Sequence, residues 1–238
     1  STVSAKIAAQ LYSIRQFTSN RHDLQTALAK IKRIGYPFVQ FSGVSAVEGD
    51  RADTSVLEAR AMLDDIGLEC IAAHRSWRAL RDDTHREIEF LETLGCSFVA
   101  IGSLADVYDP YEVESYSRFV EDAAPIIDLL GARDIAFGYH NHAHEFLRSV
   151  PGGPTYYDIL IDVGGDGMLL ELDVYWAALA GVNPASLLER ITGRATYIHV
   201  KDMEMRIPEG GGRPEPFYAA VGEGNLDWDS IFVAGRSA

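Results

Sequence analysis

The chain has 238 residues, 47% of them hydrophobic, enough to bury a sizeable core in one large α/β domain or two small ones. Lys and Arg number 21 against 35 Asp and Glu, so the net charge is −14 and the pI near 4.8, a balance that speaks against nucleic acid and anionic membranes as partners. No apolar run reaches the roughly 18 residues of a membrane span. Cys70 and Cys96 lie in apolar runs without disulfide or zinc spacing, which points to buried free thiols in a cytoplasmic protein.

A β-rich run followed by a helical pattern ending in Gly recurs along the chain. The first strand is expected over KIAAQLYSI, and its helix from an N-cap at about Asp23 through LQTALAKIKRIG, with Gly35 as the stop. YPFVQFSG with VLEARAMLDDIG, then ECIAAHRSW with DDTHREIEFLETLG, give two more units. CSFVAIGS precedes SYSRFVEDAAPIIDLLG, and DIAFGYHNH precedes TYYDILIDVG. MLLELDVYW precedes PASLLERITG, and ATYIHVKDM precedes a Gly/Pro-rich loop and NLDWDSIF. Such alternation implies parallel pairing with right-handed crossovers. With neither G-x-G-x-x-G nor a Walker loop present, a TIM (β/α)8-type barrel is favoured over a doubly wound sheet, as one domain over residues 1–238. Seven βα units are visible and the chain stops at SIFVAGRSA, where an eighth strand is due. Either the chain is truncated at its C-terminus or the barrel is open at one seam.

Barrel chemistry sits at the C-terminal ends of the strands, and side chains alternate along each strand. Gly138, His140 and His142 therefore share a face, as do Glu171 with Asp173, Tyr197 with His199 and Lys201, and Ala72 with His74 and Ser76. Two imidazoles on one face, His140 and His142, are an odd choice for packing. Asp173 ends an apolar run, where a charge is costly unless a cation or a donor meets it, and His199 follows the same logic. Glu145 either caps its loop or returns towards the histidines as a ligand or supporting group. Lys201 pairs with Asp202 or neutralises a developing oxyanion, and Tyr175 with Trp176 pack the rim or form a platform for a sugar. His, His and Asp with a nearby Glu suit Mn²⁺, Zn²⁺, Co²⁺ or Fe²⁺ better than Ca²⁺. EGGGRPEP, Glu209 to Pro216, and VGEGN, Val221 to Asn225, are candidate covering loops. Arg75, Arg78 and Arg206 are isolated, so no cluster for a phosphate is evident.

In order, YHNHAHEF, LELDVYWAALAGVNP, YIHVKDM and VGEGNLDW resemble the sugar phosphate isomerase/epimerase family, the xylose-isomerase-like barrels that include endonuclease-type members. With QLYSIR and GYPFVQFSG, the likeness runs from about Lys6 to Trp228. The resemblance implies one divalent ion (Mn, Zn, Co, Fe or Mg, with Mn or Zn favoured) held by residues ending strands five to eight. His140 stands where many members carry a Glu, with Glu145 nearby as a substitute; Asp173 and His199 match the ligands of strands six and seven. The family's further Glu on strand eight lies past the end of this chain. Candidate catalytic groups are Glu145, His142 and Lys201, and candidate substrate contacts are His74, Asn141, Trp176 and Tyr12. The implied activity is isomerisation, epimerisation or dehydration of a small keto sugar or polyol through an enediolate, with room for a homo-oligomer. The alternatives are a non-catalytic carbohydrate-binding or interaction subunit and, opposed by the charge, a DNA-repair endonuclease.

Overall fold

The strand-then-helix alternation is present in the computed structural model, which describes residues 4–238. Two units divide the chain: residues up to 101 with 125–137, and residues 102–124 with 138–238. The first carries β1 (Ala8–Gln10), β2 (Phe38–Phe41), β3 (Glu69–His74) and, up to Ile101, β4 (Phe98–Gly102), paired in parallel and in chain order. Its helices are α1 (Arg21–Ile34), α2 (Ser45–Glu48), α3 (Val56–Ile66), α4 (Trp77–Asp82) and α5 (Thr84–Leu94).

Apolar spacing of three and four explains the packing of α1: Leu24, Ala27, Leu28 and Ile31 form one buried stripe. Each fully buried Leu contributes roughly 1.5–3 kcal/mol by leaving water. The helix begins earlier than expected. Its cap is Asn20, whose side chain accepts the Asp23 N–H at 2.9 Å, so Asp23 lies within the first turn. Ser55 and Glu58 close a reciprocal capping box on α3. Arg75 is held by Glu48 at 2.6 Å and by Glu87 at 2.5 and 3.0 Å, an inward structural use of the guanidinium. Cys70 and Cys96 are buried free thiols, as expected.

The first strand is shorter than KIAAQLYSI suggests. Gln10 accepts the Tyr12 N–H through its side chain at 3.4 Å, and Leu11–Phe17 turns into a 3-10 helix. Tyr12 consequently lies half-exposed on that turn, with the Arg15 guanidinium 4.2 Å over its ring.

In the second unit β5 (Ala136–His140), from Gly138 onward, β6 (Leu169–Asp173) and β7 (Tyr197–His199) pair in parallel. Helix α6 (Val113–Gly131) precedes β5; α7 (Tyr156–Gly164), α8 (Val174–Leu179) and α9 (Pro184–Arg190) follow the next strands. The expected Gly/Pro-rich loop after β7 is instead an antiparallel hairpin, β8 (Asp202–Arg206) with β9 (Glu215–Ala219), before α10 (Trp228–Gly235). Gly210, Gly211 and Gly212 have φ between 88 and 124°, which a side chain would resist, so EGGGRPEP serves as the hairpin's tip and the start of β9. No helix among the described residues is long and apolar enough to cross a membrane.

Candidate metal and acid–base site

Register brings the ends of β5, β6 and β7 level: His140 lies opposite Glu171, and Asp173 opposite His199. Period-two alternation turns these residues to one face. His199 Nε2 is 3.0 Å from Glu171 Oε1, and its Nδ1 is 3.7 Å from Asp173 Oδ2. His140 Nδ1 is 3.6 Å from Glu171 Oε1, and its Nε2 is 3.9 Å from Asp173 Oδ2. His140, Glu171 and Asp173 are at most 7% exposed. Ligand atoms of His140, Glu171 and His199 lie within 4.8 Å of one another.

Two buried carboxylates against two imidazoles form a donor set that fits a divalent ion, because their charge is costly in the interior without a cation. Mixed nitrogen and oxygen ligands suit zinc, manganese, cobalt or iron. A proton on His199 plays the cation's part in the metal-free chain. Burial by itself would lower its pKa, but Glu171 and Asp173 outweigh that and push it up to about 10.

Asp173 meets both a donor and this cluster. Its Oδ1 accepts the Trp176 N–H at 3.2 Å and caps α8, while Oδ2 faces the imidazoles. Asn141 is fully buried and ties the two strand ends: its Oδ1 accepts the Asp173 N–H at 2.9 Å, and its Nδ2 donates to the Asp173 carbonyl at 3.3 Å.

A second group adjoins the first. Glu145, fully buried in the 3-10 turn His144–Phe146, accepts from the Ser103 hydroxyl, from the Tyr139 hydroxyl at 2.9 Å and from the His142 N–H at 2.8 Å. His144 Nε2 is 3.3 Å from the same carboxylate. Ser103 Oγ also lies 2.7 Å from His142 Nδ1. The His142 ring is 5.1 Å from that of His140 and 5.6 Å from that of Trp176, centroid to centroid. Burial lowers the His142 pKa, with Glu145 opposing. Burial and Glu145 push the Tyr139 phenol well above its usual value.

Lys201 does not turn to its neighbour Asp202. Its ammonium lies 4.8, 4.7 and 4.3 Å from the ring centres of Tyr175, Trp176 and Tyr218. His74 ends β3 in the first unit and is partly exposed.

Of the expected ligands, His140, Asp173 and His199 come together. Glu171 was on the predicted face but was not singled out, although the alternation in LELD that selects Asp173 selects it equally. Ser103 and Tyr139 carried no such mark: one ends an apolar strand, and the other lies on the opposite face of its strand from the histidines.

Across residues 28–234 the chain matches the xylose isomerase-like TIM barrel family, and it belongs to that family. The fold is thus of TIM-barrel type, with seven parallel strands among the described residues. Among solved structures it is similar to a sugar phosphate isomerase/epimerase from Parabacteroides distasonis ATCC 8503 (22% identity, TM-score 0.72, covering 98% of this chain and 84% of that one). It is also similar to the IOLI protein with a bound zinc atom (17%, 0.65, 98% and 85%) and to L-ribulose 3-epimerase (17%, 0.66, 97% and 77%). At these identities the likeness is one of fold. Comparison with curated proteins gives no match.

Proposed function

We propose that the protein is a divalent-metal-dependent isomerase or epimerase of a small keto sugar or polyol. The observation that carries this is the convergence of His140, Glu171, Asp173 and His199 from three neighbouring strand ends, with His199 Nε2 3.0 Å from Glu171 Oε1. These four side chains would hold the ion, with Mn²⁺ or Zn²⁺ the best match to the donor set. The zinc atom in the IOLI protein and the activities named for the other two relatives support the reading. A net charge of −14 favours a small substrate over DNA.

When bound, the ion supplies Lewis-acid stabilisation of the enediolate formed on loss of the substrate's α-proton. His142 takes that proton: the C–H bond breaks, its electron pair moves into the enediolate, and the imidazole becomes imidazolium. Return of the proton to the neighbouring carbon gives isomerisation; protonation from solvent on the opposite face, with the imidazolium giving up its proton, gives epimerisation; and departure of an adjacent hydroxyl as water, taking the imidazolium's proton, gives dehydration. Glu145 keeps His142 in place through its backbone N–H. Lys201, fixed over three rings, offers its charge to the developing oxyanion, and Trp176 gives the sugar's C–H face an apolar wall beside His142.

Purified protein is expected to carry stoichiometric divalent metal and to exchange the α-proton of a subset of keto sugars for deuterium in D₂O, with exchange lost in Asp173→Ala. Absence of metal even after Mn²⁺ or Zn²⁺ is added would overturn the reading in favour of a non-catalytic protein.

A further inference from the structure

The hydrogen bonds around Ser103 determine where the protons of the His142 ring sit. Glu145 is surrounded by donors: the Tyr139 hydroxyl at 2.9 Å, the His142 backbone N–H at 2.8 Å and the Ser103 hydroxyl. That environment suits a carboxylate, which can only accept. A serine hydroxyl has one proton, and here it is committed to Glu145. Its oxygen still has lone pairs, and His142 Nδ1 lies 2.7 Å from it. A bond at that distance needs a proton, and the only one left to supply it is on Nδ1.

We infer that Ser103 is a positioning residue that locks His142 in the Nδ1–H tautomer, so that Nε2 carries the lone pair. What the oriented ring does to a substrate rests on the acid–base role proposed above; the Nδ1–H to Ser103 hydrogen bond itself does not. Backbone geometry shows that the serine sits there at a conformational cost. Ser103 has φ 64°, in the left-handed region that disfavours most side chains. The other non-glycine residue with positive φ is Asp134, at 57°, a residue type that tolerates it. A serine held there, 8% exposed, with its N–H donating to the His140 carbonyl at 2.8 Å, stands against its backbone preference. Glycine would satisfy the backbone. Only the hydroxyl explains the serine.

The test is the ring itself. Long-range ¹H–¹⁵N correlation spectra of the full chain, ¹⁵N-labelled and loaded with diamagnetic Zn²⁺, report which ring nitrogen of each histidine is protonated; the His142 signals are those lost in His142→Gln. Wild-type protein is expected to show His142 protonated at Nδ1 and bare at Nε2. Ser103→Gly removes the hydroxyl while relieving the left-handed backbone, so it should fold and lose that pattern. An Nε2–H signature in the wild type, or an Nδ1–H pattern that survives Ser103→Gly, overturns the inference. A locked Nδ1–H ring in a protein that exchanges no α-proton would support the inference and count against the acid–base reading alone.

Discussion

Two sets of buried carboxylates in the second unit meet the cost of burial in opposite ways. Asp202 is fully buried, and its oxygens accept N–H groups of Met203 at 2.8 Å, Gly222 at 2.9 Å and Gly224 at 3.0 Å, and the Trp228 indole N–H at 2.8 Å. Burial alone would raise its pKa; the Trp228 indole and these backbone donors outweigh that and hold it below 3.8. Glu171 and Asp173 are as deeply buried, but both face the imidazoles of His140 and His199. Equal burial therefore hides two roles. Backbone donors make a carboxylate the hub of a loop, whereas facing imidazoles give it a donor set that fits a divalent ion.

Removing a ligand should show the widest separation between the two sets. Asp173→Ala, Glu171→Gln and His199→Ala are each expected to weaken Zn²⁺ binding by more than the roughly 10–100-fold that loss of an outer supporting group costs. Competition against a chromogenic chelator measures this. Asp202→Asn should leave the metal affinity within a few-fold of wild type, and equal losses at both places would erase the distinction.

pH gives the next largest effect. The His199 pKa is raised from 6.5 to about 10 in the metal-free protein, so the stability it contributes is complete below pH 6.5 and is lost as the pH rises through 10. An incoming ion must displace that proton. Zinc affinity should therefore climb from neutral towards alkaline pH, by up to about tenfold per pH unit for one proton released, with calorimetry in buffers of different ionisation enthalpy counting the protons. A flat profile would remove His199 from the ligand set.

The strand ends were legible in the sequence because alternation and the βα period are local properties. They placed His140, Asp173 and His199 at neighbouring strand ends, and the glycine stops marked the ends of α1, α3 and α5, whereas α9 ends at Arg190, short of Gly193. What was missed depends on partners distant in the chain. Nothing local in VGEGN, read as a candidate covering loop, signals that it wraps Asp202: a Cβ on Gly224 would come within 2.4 Å of the Met203 carbonyl and 2.5 Å of Asp202 Oδ1. The hairpin β8–β9 was hidden by the glycines of its own tip. Ser103, 39 residues before His142, has no periodic signal that pairs them.

Stability separates the sets in the other direction. Asp202→Asn replaces an acceptor with an amide whose N–H₂ opposes the loop's donors, and about 2 kcal/mol of stability should be lost. Gly224→Ala should cost at least as much, since backbone rather than a flexible side chain blocks its Cβ. Urea denaturation of the metal-free proteins measures both, and an unchanged midpoint in either would show that the Asp202 hub does not hold the loop.

The smallest effect concerns Lys201, next to Asp202 in sequence and yet not needed by it. Its ammonium is met by the rings of Tyr175, Trp176 and Tyr218, the nearest centre at 4.3 Å, while the Asp202 oxygens are occupied by N–H donors. Lys201→Met keeps most of the apolar stem and removes the charge, so only the cation–π share, about 1 kcal/mol at a partly exposed site, should disappear. Combined with Asp202→Asn, the two losses should add to within about 0.5 kcal/mol, because each group is satisfied by a separate set of partners. A coupling well above that value would mean that the lysine and the aspartate share an electrostatic partnership, and the hub would then need the neighbouring cation as well as the backbone donors that surround it.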